Sequence, residues 1–230
     1  MTDYLLFIDT ETSGLPKRWD LPYSTKRNWP NAIQVSWVIY TRDGQQVKEQ
    51  SRYIWEKDIL LSPSAYKIHG LTKTFLQANG ISRKDALWLL TRDLKKYKPM
   101  IVGHFIELDF HVVSADYFRA NIQNPLIDIP SFCTMLATTH MVTNPKVRFF
   151  KLGELYQLLF DKPMQNQHNA LADAKATAQV FFELIKRKEI TGEPRAPIAL
   201  PHKIKTINRM GWAVVALIVL LLIIIISYYI

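Results

Sequence analysis

Asp9 and Glu11 stand two residues apart at the end of the apolar run 4–8. In an extended chain, side chains two apart share one face, so both carboxylates would point the same way. Like charges so placed repel each other unless a cation lies between them, and hard oxygen ligands suit Mg²⁺ or Mn²⁺. Another acid, Asp109, lies among apolar neighbours in Gly103-His104-Phe105-Ile106-Glu107-Leu108-Asp109-Phe110. The next setting is His168-Asn169-Ala170-Leu171-Ala172-Asp173-Ala174. It puts Asp173 in the first turns of an alanine-rich helix, with His168 just ahead of that helix. That spacing lets Asp173 ligate a cation while His168 takes a proton. Each setting alone has an ordinary explanation. Strand ends carry solvated acids, Asp109 suits a helix N-terminus, and a histidine before a helix is commonly a cap or a surface residue. Weight comes from the three settings occurring together and in order.

The elements that must position these residues are legible from periodicity. Residues 4–8 read as a buried strand, and residues 33–41 alternate, with Ile33, Val35, Trp37 and Ile39 on one face. Arg42-Asp43-Gly44-Gln45 supplies turn chemistry before a returning strand over 47–55. Ser82, followed three residues later by Asp85, resembles a capping box, and Leu87, Leu90 and Leu94 follow at helical spacing. A short apolar strand is expected at 100–103, with helices at 108–118, 151–160 and 170–188. Strands first, then alternating helix and strand, predict an α/β fold with a mixed sheet and flanking helices.

A length of 230 residues favours one medium-sized domain with additions over two full domains. Hydrophobic residues make up 48% of the chain, much of that in the last segment, so the net charge of +9 belongs to the remainder. Such a balance fits a polyanionic partner, nucleic acid or anionic lipid, without choosing between them. Cys133 is the single cysteine, which excludes an intrachain disulfide and suits a reducing compartment. The opening residues are not expected to act as a signal peptide, because the apolar run 4–8 is short and meets Asp9 and Glu11 directly.

Residues 212–230 carry no charge and would span roughly 28 Å as a helix, close to the ~30 Å hydrocarbon core. The twelve Val, Leu and Ile residues between Val214 and Ile226 would contribute about −4 to −7 kcal/mol towards insertion. Trp212 at one end and Tyr228 with Tyr229 at the other suit interfacial anchors. Lys203, Lys205 and Arg209 flank the near side, which would place the folded domain in the cytoplasm. The expectation is a single-pass protein with a C-terminal transmembrane anchor at 210–230. It would meet the bilayer through 212–230 and carry a proline-containing basic linker at 189–209.

The three acidic settings, with Ile68-His69-Gly70-Leu71-Thr72 between them, resemble the DEDDh 3′→5′ exonucleases. That family includes the proofreading epsilon subunit of bacterial DNA polymerase III. The resemblance covers about residues 3–188, setting a domain at 1–188. It implies an RNase H-like mixed five-stranded sheet and two divalent cations, Mg²⁺ or Mn²⁺, about 4 Å apart. It assigns Asp9, Glu11, Asp109 and Asp173 as metal ligands and His168 as the proton acceptor. Thr12, Gly14, Leu15 and His69 become candidate contacts to the terminal nucleotide. The implied partner is a nucleic acid with a free 3′ end, DNA in preference to RNA; a polymerase partner is not specified. Two departures from the family pattern stand out. Phe105 occupies a position where Asn is common, and Cys133-Thr134 stands where Asp-Thr is frequent. Lys146, Arg148, Phe149, Phe150 and Lys151 mix basic and aromatic residues as a single-strand contact can, although core phenylalanines with solvated charges explain them more simply. The alternative function is a non-catalytic module that binds nucleic acid ends, or a membrane interaction module, on the same fold.

Overall fold

In the computed structural model, residues 2–194, 198, 200 and 201 are described. Three strands open the chain: β1 (Tyr4–Thr12), β2 (Ala32–Thr41) and β3 (Gln46–Tyr53). They form the expected antiparallel meander, with β1 pairing β2 and β2 pairing β3. The turn between β2 and β3 closes with Gly44 at φ 91°, where a glycine meets no Cβ penalty, and Thr41 N donates to Gln45 O at 2.9 Å.

Helices α1 (Pro63–His69) and α2 (Lys73–Asn79) follow, then α3 (Arg83–Tyr97), β4 (Met100–Gly103) and α4 (Ile106–Arg119). The chain continues through β5 (Ser131–Cys133), α5 (Thr134–Ala137), α6 (Leu152–Phe160) and α7 (Ala170–Lys186). The five strands lie in the order β3-β2-β1-β4-β5, and β4 runs parallel to both β1 and β5. This is the mixed α/β sheet expected, with parallel pairing where helices connect the strands.

Period-two alternation along β1 divides the core. Leu6 and Ile8 join Trp37, Leu87, Leu90 and Val112 in a cluster on one face of the sheet. Leu5 and Phe7 join Val102, Phe132, Ala178 and Phe181 on the face covered by α7. The inner strand β2 is buried on both faces from Ala32 to Ile39, more than simple alternation predicts. Its polar residues are paired there: Gln34 Nε2 donates to Ser51 Oγ at 3.1 Å, and Ser36 Oγ donates to the same Ser51 Oγ at 2.9 Å.

Ile198 and Leu200, in the segment expected to be a linker, pack against the first cluster. The expected membrane segment 210–230 lies outside the described residues. Among the described residues, no helix is long and apolar enough to cross a membrane.

Candidate active site

β1 does not stop at Asp9 but runs on to Thr12, which keeps Asp9 and Glu11 in extended backbone. By the alternation just described, both fall on the face of Leu5 and Phe7, towards α7. Thr10 points to the opposite side, where its hydroxyl donates to Asp109 Oδ1 in α4 at 2.7 Å. One strand thus reaches two helices with alternate side chains.

Asp173 lies in the first turn of α7, where the helix dipole favours a carboxylate. Asn169 caps that helix, its Oδ1 accepting from Leu171 N and Ala172 N at 3.2 Å each. His168 precedes the cap in left-handed conformation (φ 64°), and its backbone N–H donates to Asp173 Oδ2 at 3.1 Å. The other oxygen, Asp173 Oδ1, is buried and has no hydrogen-bond partner among the described residues. An unsatisfied buried acceptor is costly unless something else supplies the missing charge.

Carboxylate oxygens of Asp9, Glu11 and Asp173 all lie within 4.8 Å of one another. Burial pushes the Glu11 pKa up to about 8, and the charges of Asp173 and Asp109 add to the rise. Asp9 is raised well above the usual range by burial first, then by Asp109, Asp173 and Glu11. Asp109 is raised to about 7 by burial, against the pull of the Thr10 hydrogen bond. Asp173 reaches about 6, again through burial. Without a cation, the protein therefore holds protons here at neutral pH. The donor set is all oxygen, one acceptor is unpaired, and the negative charge is concentrated; a divalent cation fits on each count.

His69 and His168 both line a cleft of about 560 Å³, together with Gln34, Leu171 and Lys175. His69 Nδ1 accepts from Leu71 N at 2.9 Å, and its pKa is lowered by burial and then by nearby His168. The other candidate contacts sit on the turn leaving β1. The Thr12 hydroxyl is committed within that turn, donating to Gly14 O at 2.6 Å. A Cβ on Gly14 would meet only the Ser62 side chain, at 3.5 Å, so packing does not require glycine there. Leu15 is 72% exposed, a large apolar side chain standing in solvent.

Sequence reasoning passed over Thr10, Gln34 and Lys175. Thr10 was findable, since alternation between two acids on one face sends the residue between them to the other. Gln34 Oε1 accepts from Ala170 N at 3.3 Å, and Lys175 pairs with Glu49 at 2.8 Å; both depend on long-range packing. In the 146–151 stretch, Phe150 packs against the cluster of α6 and α7, and its carbonyl accepts from His104 Nε2 at 2.9 Å. Phe150 thus packs at the edge of the core, as the simpler explanation held for it, while Phe149 is half-buried with the Arg148 guanidinium 5.0 Å from its ring.

The family model RNase_T, described as Exonuclease, matches residues 6–181. The chain belongs to that exonuclease family. Among solved structures, it is similar to a zinc-bound E. coli ExoI–ssDNA complex, with a TM-score of 0.66 and 18% identity over 81% of this chain and 41% of that one. E. coli exonuclease I with a dA16 oligonucleotide gives 0.65 and 19%, covering 80% of this chain and 41% of the other. A 3′-exonuclease in a structure of 3′-end-specific recognition of a histone mRNA stem-loop gives 0.68 and 14%, covering 87% and 69%. At these identities the likeness concerns the exonuclease fold. The chain spans about two fifths of the length of the exonuclease I chains. No curated protein matches it.

Proposed function

We propose that this family member is a two-metal-ion 3′→5′ exonuclease that releases 5′-mononucleotides from the end of a nucleic acid strand. The observation that carries this reading is the group Asp9, Glu11 and Asp173, within 4.8 Å, with Asp173 Oδ1 buried and unpartnered. Asp9 would be shared between two cations, with Glu11 and Asp173 completing one site. Asp109 would serve the other, directly or through water. Mg²⁺ or Mn²⁺ held there supplies Lewis acidity that lowers the pKa of bound water and neutralises charge on the phosphate. His168, exposed at the mouth of the cleft, takes the proton from the attacking water. The helix start that carries Asp173 keeps the His168 backbone in register with it. His69, Thr12, Gly14 and Leu15 are the candidate contacts to the terminal nucleotide. The likeness of the first two motifs to the epsilon proofreading subunit favours DNA as substrate. The uncharged segment 212–230 supports a tether to a membrane, with the catalytic domain on the cytoplasmic side.

The test uses the full-length chain in mild detergent with single-stranded DNA and RNA labelled at the 5′ end. A ladder shortening from the 3′ end in Mg²⁺ or Mn²⁺, and abolished by EDTA, is the expected result. Metal chemistry contributes several kcal/mol, so Asp9→Ala or Asp173→Ala should lower turnover by about 10³-fold. Near-full turnover in either variant would remove the assignment.

A further inference from the structure

The loop joining β1 to β2 is built rather than slack. Ser13 N donates to Asn31 O at 2.9 Å, Lys17 N to Asn28 O at 3.2 Å, and Trp29 Nε1 to Leu21 O at 2.9 Å. These bonds press Trp29 and Tyr23 against His111 of α4. The Trp29 ring lies 5.0 Å from the His111 ring at 30°, and the Tyr23 hydroxyl lies 2.8 Å from His111 Nδ1. Burial holds the His111 pKa down at about 4, so the ring is neutral and shares one hydrogen bond with the Tyr23 hydroxyl.

Above this buried pedestal sits Trp19, edge-on to Trp29 at 5.9 Å, and 5.8 Å from the ring of Phe105. Trp19 is 38% exposed, whereas Trp29 beneath it is 3% exposed. Phe105 occupies the N-cap of α4 in left-handed conformation (φ 66°) and makes no side-chain cap bond. An aromatic residue is a poor choice for both demands, and such outliers concentrate at functional sites. The position also fixes where the ring stands. β1 and β4 run parallel up to Phe7 opposite Val102, and β4 ends at Gly103, so Phe105 leaves β4 at the end of the sheet towards which β1 carries Asp9. Asp109 follows one turn along the same helix.

We propose that Trp19 and Phe105 form a stacking shelf that receives a base of a single-stranded nucleic acid entering the carboxylate site. Stacking suits an occupant with a π-face, and every base has one. The charge of the loop suits a phosphate backbone: Lys17, Arg18, Lys26 and Arg27 stand against the one acid Asp20, which pairs with Arg18 at 2.6 Å. The shelf deepens the exonuclease reading and rests on it for the direction in which the strand enters. It assigns Trp19 and Phe105 to affinity and leaves the chemistry to the carboxylates.

The test compares the full-length chain with Trp19→Ala and Trp19→Phe. Binding of labelled single-stranded DNA and RNA is followed by anisotropy in EDTA, and hydrolysis in Mg²⁺. Loss of one stacked base predicts that Trp19→Ala raises Kd and KM by about 5- to 100-fold, with kcat much less affected. Trp19→Phe should keep most of the affinity, and DNA and RNA should respond alike. Strands with a single abasic position, scanned inward from the 3′ end, should show one position where the wild type loses affinity and Trp19→Ala is indifferent. Unchanged Kd and KM in Trp19→Ala, or a fall in kcat and thermal stability without a rise in KM, would overturn the shelf. A wild type that binds but never cleaves would instead overturn the exonuclease reading, and the EDTA binding series would still decide the shelf.

Discussion

At the scale of single residues, the site is a set of charges that cannot coexist without help. Glu11, Asp109 and Asp173 have folded pKa values of about 8, 7 and 6, all above the carboxylate values of an unfolded chain. Between about pH 4 and pH 8 the folded state therefore keeps protons that the unfolded state has lost. Stability of the metal-free protein falls as pH rises through that window. The thermal midpoint in EDTA should be lower near pH 8 than near pH 5, and Mg²⁺ should raise it more at the higher pH. Asp9→Asn removes one of the repelling charges, so in EDTA near pH 8 it should gain about 1–2 kcal/mol, roughly 2–8 °C in Tm. A midpoint in EDTA that was flat with pH, or a destabilised Asp9→Asn, would contradict this. His168 is a different kind of participant, donating to Asp173 through its backbone N–H. His168→Ala should slow turnover by about 10²–10⁴-fold while leaving Mn²⁺ affinity, read by calorimetry, nearly unchanged. A collapse of metal affinity would make His168 a ligand instead.

At the scale of elements, a buried ion group ties the start of β2 to α3 and α4. Asp116 Oδ2 accepts from Ala32 N at 3.0 Å, and its Oδ1 lies 2.6 Å from Arg119 Nη1 and 3.1 Å from Arg83 Nε. Burial pushes the Asp116 carboxyl up, and Arg119 and Arg83 pull it back. Asp116→Ala strands a buried guanidinium and an amide, so denaturant unfolding should show a loss of about 3–5 kcal/mol. Asp116→Asn, which keeps the acceptor for Ala32, should lose less. Long periodic elements such as α3 and α7 were legible in sequence because their apolar stripes and caps agree. α1 and α2 have only seven residues each, too short for a periodic stripe, although Ser62 and Thr72 cap them and Gly70 ends the first at φ 69°. β5 is three buried residues at the edge of the sheet beside β4, and nothing in Ser131-Phe132-Cys133 alternates long enough to announce it. The carboxylates were legible because the three acidic settings occur together and in order along the chain. The aromatic pedestal was not, because only the folded loop brings residues 19, 23 and 29 to 105 and 111.

At the scale of the whole molecule, two attractive forces act on different partners. The net charge of +9 favours nucleic acid and anionic lipid alike, and both attractions weaken with salt. The uncharged stretch 212–230 would hold a bilayer by burial of apolar surface, which salt does not weaken. The full-length chain should stay with neutral phosphatidylcholine vesicles in about 1 M salt on flotation, while a chain ending at Arg209 should not. Release of the full-length chain by salt would remove the tether. Nucleic acid binding by the same protein should fall steeply over that salt range.

The three-part origin of the site also sets when the protein becomes dangerous during its own synthesis. Asp9 and Glu11 leave the ribosome early and Asp109 midway, but Asp173 arrives on α7, the last element of the sheet's flanking layer. Phe181 of that helix covers Phe7 at 5.5 Å, so the strand bearing the first two carboxylates is itself unfinished until α7 docks. A nascent chain short of α7 holds unpaired acids on an uncovered strand and has no centre to gather a cation. Domains fold as units as the chain emerges. Hydrolytic capacity thus appears late and all at once, when α7 has emerged and docked.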